Sequence, residues 1–291
     1  MKFRGIYPAP ALVNAPCGIL SVVDAITPST SGYNDLWERG LSYEFESQPT
    51  SRLLTVNDDV VIGGTLFDGT GLKPFRDYIP FFIEAELLKS MLGLTGEDRF
   101  AEVLRQLEAS TQKAVERELW TGIAATANAN ANDYLTKAST VTEVSDAAHS
   151  AAKALQLLEG ALAGSPVGAG GVIHMTRDVA SILDTRIKYY PNLSDPAKGF
   201  ATTRIGTPVV IGSGYTGQGI VGDVDATASL TNKWMFATGP LAVLLGESEV
   251  VNDTLAQGAN TSINDMRIKA LRSAAVYFDP SCHYAAQVTL P

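Results

Sequence analysis

Residues 95–122 read TGEDRFAEVLRQLEASTQKAVERELWTG, and the fold can be read outward from them. Thr95 is placed to cap a first turn that contains Asp98, each side chain able to accept from an otherwise unpaired backbone N–H. Phe100, Val103, Leu104, Leu107, Thr111, Ala114 and Val115 recur at helical spacing as one apolar stripe. Glu102, Arg105, Gln106, Lys113, Glu116 and Arg117 fill the other face, which is expected in solvent. Gly122 stands where a left-handed residue ends a helix. At about 1.5 Å per residue such a helix spans about 40 Å. A one-sided helix of that length is a beam on which another layer leans.

The C-terminal stretch supplies a layer. Over 266–278 the even positions Met266, Ile268, Ala270, Ala274, Val276 and Phe278 are apolar, and Arg272 interrupts them as a β-bulge would. Asp279-Pro280-Ser281 turns the chain, and Tyr284, Ala286, Val288 and Leu290 alternate to the end. Both strands are expected to pack on the long helix.

Upstream, residues 1–40 are rich in Pro, Ser, Thr and Asn without a period, and read as an extended arm lying on something else. Leu41, Tyr43 and Phe45 alternate with polar residues as a strand. Arg52–Val56 and Val60–Leu66 flank Asn57-Asp58-Asp59 as a hairpin, and Gly63, Gly64, Gly69 and Gly71 make its return flexible. A hairpin with so little apolar mass cannot fold alone. Tyr78–Leu92 is strongly apolar, with Pro80 suited to a first helical turn.

Beyond Gly122 a polar connector leads to a helix at Asp146–Leu162, a strand at Val172–Met175 and a helix from Thr176 to Leu183. Further strands are expected at Thr207–Ile211, Trp234–Thr238 and Leu241–Leu245, giving an α/β unit over 143–258.

Composition limits the function. The chain has 291 residues, 45% apolar and 18% charged, which is globular, and can bury a substantial core. A net charge of −9 argues against gripping nucleic acid through many phosphates, though not against enclosing it. Cys17 and Cys282 make neither a disulfide framework nor a four-thiolate metal site, and are expected as free thiols. Pro8, Pro10 and Pro16 interrupt the N-terminal stretch, so no export signal is expected, and no apolar run is long enough to cross a membrane.

The chemical motifs fail on context. GSGYTG at 212–217 matches G-x-G-x-x-G after a strand, but no helix start follows to hold a pyrophosphate, so a flexible loop is expected. Ser110 with Lys113, and Ser150 with Lys153, fit S-x-x-K inside helices without the companion motifs of serine acylases. His149, His174 and His283 have no partner at metal-ligand spacing, and each is expected to be a satisfied or exposed imidazole. Glu84 with Glu86, and Glu116 with Glu118, diverge as pairs; Lys113 and Arg117 beside the second pair point to a solvated charged face. No catalytic site, cofactor site or metal site is expected.

The order of parts resembles the major capsid proteins of tailed bacteriophages, the Hong Kong phage-type shell fold also used by encapsulin nanocompartments. Local sequence is similar to the actinobacteriophage-like branch. GILSV at 18–22 and DLWERGLSYE at 35–44 look like its arm running into the E-loop, and Lys73-Pro74-Phe75 like the return. AVERELWTG at 114–122 looks like the end of its spine helix, and RSAAVYFDP at 272–280 like the long strand of its peripheral domain.

The resemblance implies an α+β chain with an N-terminal arm (1–40), an E-loop (41–78), a first peripheral part (79–142) holding the spine helix (95–121), an axial domain (143–258) and a second peripheral part (259–291). It implies homo-hexamers and homo-pentamers in an icosahedral shell around double-stranded DNA, found in the virion after assembly in the bacterial cytoplasm. No long acidic scaffolding segment precedes the arm, so either a separate scaffolding protein is expected or the chain is already processed; a portal is the other expected partner. The crosslinking lysine of some relatives is not carried over, since Lys73 sits at the base of the loop before a proline.

Large or charged side chains in segments without their own core must find partners elsewhere, which singles out Trp37, Arg39, Lys73 and Arg76 as inter-subunit contacts. The alternatives are an encapsulin-like cargo shell and a soluble α/β enzyme using the loop at 212–222.

Overall fold

The computed structural model describes residues 16–22, 25–26, 41–44, 53–54, 61–62, 75–88, 96–165, 170–193, 199–253 and 267–291. The cap at Thr95, the return glycines and most of the arm lie outside them.

The arm contributes a short helix α1 (Ile19–Val22) and strand β1 (Ala25–Ile26), and the E-loop contributes β2 (Leu41–Glu44), β3 (Leu53–Leu54), β4 (Val61–Ile62) and β5 (Phe75–Tyr78). The expected hairpin is present: β3 pairs with β4 antiparallel, and at its base β2 pairs with β5. Next comes a correction. The apolar stretch after Pro80 is not a helix but strand β6 (Phe81–Leu88). Its period is two: Ile83 is buried and Phe81 and Ala85 are half-buried, while Phe82, Glu84 and Glu86 face outward, Ala85 being half-covered. Pro80, which has no N–H to give a ladder, stands just before the strand.

The long helix α2 (Gly96–Thr121) matches its expected span, and Gly122 is left-handed at φ 58° and ψ 40°. Glu118 accepts from the amides of Ala124 and Ala125 at 2.7 and 3.0 Å, capping the short helix α3 (Ile123–Ala127) that Gly122 itself cannot cap. Strands β7 (Thr142–Glu143) and β8 (His149–Ser150) follow, so helix α4 (Ala151–Ala163) starts later than the expected Asp146. Then come β9 (Val172–Thr176), α5 (Arg177–Ile182), β10 (Ile187–Tyr190), β11 (Phe200–Thr203), β12 (Pro208–Gly212), β13 (Asn232–Thr238), β14 (Leu241–Asp253), β15 (Arg267–Phe278) and β16 (Tyr284–Thr289). The hairpin β10–β11 has no counterpart in the sequence reading: β10 is largely exposed and carries no burial period, and the alternation of β11 rests on the small residues Ala201 and Thr203.

Two sheets result. The four-stranded sheet has the order β1-β14-β15-β6; the eight-stranded sheet runs β10-β11-β12-β9-β13-β16-β7, with β8 also on β16. Only one of the two C-terminal strands therefore leans on α2. Strand β15 does, whereas β16 pairs with β13 in the other sheet. Strand β14, read as a short strand of the α/β unit, runs on through Asp253 as the partner of β15. Sheet membership thus cuts across the residue limits drawn at 258 and 259.

The bulge also moves. The extra residue lies in β14 between Leu245 and Ser248, which pair with Ala274 and Arg272, so Ser273 is the residue that faces the bulge and Arg272 is the first paired residue beyond it. Strand β13 is covered on both faces. Trp234 and Phe236 join α2, β14 and β15 in one core, while Met235 and Ala237 join α4 and α5 in a second.

Candidate functional site: where arm, long helix and glycine loop meet

The loop that follows β12 is packed, not free. Gly214 lies so close to α2 that a Cβ there would overlap the carbonyl of Lys113, and glycine is required for that approach. Its N–H donates to Glu116 Oε2 at 2.7 Å, and Ser213 Oγ donates to the same oxygen at 3.2 Å. The other carboxylate oxygen, Oε1, accepts from the amide of Ile19 at 3.0 Å. Glu116 is 0% exposed. The solvated face expected for it is therefore a junction, and the expectation of a flexible loop is corrected over 212–217. The amide that a phosphate would need is already given to a carboxylate.

Burial pushes the Glu116 carboxyl up from its ordinary range; the bonds from Gly214, Ile19 and Ser213 pull it part of the way back. The arm meets the same point from the other side. Cys17 is left-handed at φ 60°, its N–H donates to Gly199 O at 2.8 Å, and its carbonyl accepts from Ile211 N at 2.7 Å. A Cβ on Gly18 would overlap the buried Gln112 side chain, one turn before Glu116.

Next along the loop, Tyr215 packs against Trp120 with centroids 4.6 Å apart, and Trp120 meets Phe236 edge-on at 5.1 Å. Trp120 Nε1 donates to Gln218 O at 3.0 Å. The Tyr215 hydroxyl lies 2.8 Å from His174 Nδ1, and Thr238 Oγ1 lies 3.0 Å from His174 Nε2. Burial, with His283 nearby, lowers the His174 pKa to about 3. Burial lowers that of His283 to about 3 as well, and raises that of Tyr215 well above its ordinary value. His174 and His283 are thus neutral packing groups at neutral pH.

The remaining motif residues are spread out. Ser110 Oγ donates to the carbonyl of Leu107 at 3.0 Å, and Ser150 is the residue before α4. His149 Nε2 lies 2.8 Å from Ser145 Oγ. Cys17 and Cys282 are buried free thiols, and burial raises the Cys17 pKa to about 11. Among the described residues no group of three or more His, Cys, Asp or Glu could hold a metal ion.

Of the four contact residues chosen from the sequence, Trp37, Arg39 and Lys73 lie outside the described residues, and Arg76 stands opposite Tyr43 in the β2–β5 ladder. The sequence reading missed Glu116 itself. Its signal was the row Gln112, Glu116, Trp120, spaced by four, which sets an indole on the face assigned to solvent.

Two surfaces expose apolar mass beside a sheet edge. Among the described strands, β6 ends the four-stranded sheet and β10 ends the eight-stranded one. Phe82, 67% exposed, borders a groove of about 420 Å³ between β6 and α2, which Lys113, Arg117 and Ile123 also line. Around β10 and β11, Tyr189, Tyr190, Leu193, Phe200 and Ile205 are exposed, and Tyr190 stacks on Phe200 at 4.9 Å.

No protein-family description matches the chain, and no curated protein does. Solved structures do. The capsid of a native GTA particle matches with a TM-score of 0.54 and 10% identity, over 100% of this chain and 95% of that one. A structure from Mycobacterium phage Adephagia matches at 0.52 and 10%, over 99% and 94%. The capsid of an empty GTA particle matches at 0.50 and 12%, over 99% and 92%. Identities this low speak for the fold, and with the hairpin, long helix and two sheets in the order found, the chain has the Hong Kong phage-type capsid fold.

Proposed function

We propose that this chain is the major capsid protein of a tailed double-stranded DNA bacteriophage, assembling as hexamers and pentamers into an icosahedral shell that encloses the genome. The observation that carries the reading is the likeness to capsid subunits over 99–100% of this chain. Both exposed sheet edges fit it. An edge strand beside exposed aromatic side chains is a liability for a monomer and a joint for an assembly.

In this reading residues 1–40 are the arm, 41–78 the E-loop, 79–142 and 259–291 the peripheral domain, and 143–258 the axial domain. Trp37, Arg39, Lys73 and Arg76 lie where arm and E-loop meet neighbouring copies. The protein works in the virion without catalysis, after assembly in the host cytoplasm with a scaffolding protein and a portal. A net charge of −9 suits a wall that holds DNA without adhering to it.

Negative-stain electron microscopy of the purified protein, alone and with the scaffolding protein of its gene neighbourhood, tests the proposal. Closed particles are expected. Recovery only as a monomer or dimer under all assembly conditions would sink it, and packaged protein in place of DNA would point to a cargo shell.

A further inference from the structure

We propose that Glu116 is a clip that couples the docked arm to the glycine loop across the long helix, so that residues 16–22 and 213–217 open together as one unit. The arm touches both sheets. Pro16 O accepts from Arg177 at 3.0 Å and Cys17 bonds to Gly199 and Ile211, all on the side of the eight-stranded sheet. Further along, β1 pairs in parallel with β14, at the edge of the four-stranded sheet. Between these moorings the arm crosses α2 at Glu116.

The chemistry of the crossing is one-sided. Ile19 N–H, Gly214 N–H and Ser213 O–H are all donors, and they converge on one buried carboxylate that bonds to no cation among the described residues. An apolar residue would fill the space but leave both amides without an acceptor. A carboxylate satisfies both at once, although burying its charge is unfavourable. The two amides lie 97 and 98 residues from Glu116 on opposite sides in sequence, so the clip ties segments that no ladder joins directly. The approach leaves no slack: Gly18 and Gly214 both meet α2 where a Cβ would overlap. A shift of either segment along the helix therefore displaces the carboxylate that holds the other.

The test is residue-resolved hydrogen exchange on the unassembled subunit, so its result does not depend on the shell reading, which electron microscopy decides. In the wild-type protein the amides of Cys17, Ile19, Ile211 and Gly214 are expected to share one opening rate, faster than Phe236 in β13. In Glu116→Leu all four are expected to exchange at least tenfold faster, with Phe236 unchanged. The Cys17 amide is the discriminating readout, because its acceptor is Gly199 and the substitution does not touch it. Gly18→Ala, which wedges the same contact from the arm side, is expected to accelerate the Gly214 amide as well. Acceleration confined to Ile19 and Gly214, or unrelated wild-type rates among the four amides, would overturn the coupling.

Discussion

The two halves of α2 are built on different terms. In the first half Val103 and Leu107 are fully buried, while Glu102 and Arg105 form a partly exposed pair at 2.8 Å on the outer side. This half leans on one sheet, and an amphipathic stripe is all it needs. In the second half Val115 and Leu119 continue the stripe, but Gln112, Glu116 and Trp120 are buried too, and their burial carries round to the far side of the helix. The opposite face there meets the arm and the glycine loop, which bring backbone amides as well as the apolar side chains of Ile19 and Tyr215. A helix gripped by a sheet on one face and by irregular chain on the other needs acceptors on its second face. Buried polarity, more than apolar periodicity, marks where three parts of this chain join.

The sharpest test of that contrast is a truncation in each half. Trp120→Ala removes a fully buried indole, its packing on Tyr215 and Phe236, and its bond to Gln218. It should cost about 3–5 kcal/mol in urea unfolding of the subunit. Phe100→Ala, at a half-buried position of the first half, should cost at most about 2 kcal/mol. Equal losses would mean that the two halves are anchored alike.

Glycine substitutions sharpen the point at the junction. Gly214→Ala forces a Cβ against the backbone of α2, which cannot step aside as a side-chain tip could, and should cost about 1–3 kcal/mol. Gly160→Ala is the control. It sits inside α4 with nothing near its Cβ, so it should raise the unfolding free energy by about 0.5–1 kcal/mol. Two glycines responding with opposite sign would show that the loop contact, not backbone freedom, sets the first value.

The same contrast explains what could be read in advance. The stripe from Phe100 to Val115, the left-handed Gly122 and the alternation of β15 are local patterns, and each produced its element. Strand β6 was misread because Pro80 and a run of apolar residues also fit a helix start, and only pairing with β15 fixes the period at two. The place of β16 was hidden for a similar reason. Alternation states that a strand has a buried face, but not which sheet receives it. Glu116 was least legible of all, since a buried glutamate and a solvated one look alike beside Lys113 and Arg117. What distinguishes them is a contact about a hundred residues away.

Acid should press on the second half and its surroundings. His174 and His283 have folded pKa values of about 3 against an ordinary value of 6.5, so between these limits the unfolded chain binds more protons. Their stabilisation is complete above pH about 6.5 and is lost as pH falls toward about 3. Near pH 5 the loss should be on the order of 2 kcal/mol per histidine. Glu116 acts in the opposite sense: its raised pKa makes proton uptake easier in the folded chain, which offsets part of the loss. Chemical denaturation near pH 7.5 and pH 5 measures the net slope, and His174→Gln should flatten it by roughly half. A stability that does not change over this range would mean that these imidazoles are not buried in neutral form.

The smallest effect is expected where the sequence reading and the structure agree most fully. Glu102 accepts from Arg105 at 2.8 and 3.0 Å and from Gln106 at 2.9 Å, and the Arg105 side chain, first, lowers its pKa. These bonds sit at the surface, where solvent screening and side-chain entropy cancel most of the attraction. Glu102→Ala should therefore leave the thermal midpoint unchanged within error, and added salt should make no difference between the two proteins. Glu116→Ala, the same substitution fourteen residues along the same helix, should lower the midpoint clearly, because it leaves the amides of Ile19 and Gly214 buried without an acceptor. If the two substitutions had equal effects, the outward faces of both halves would be equally wet, and the junction would hold by apolar packing alone.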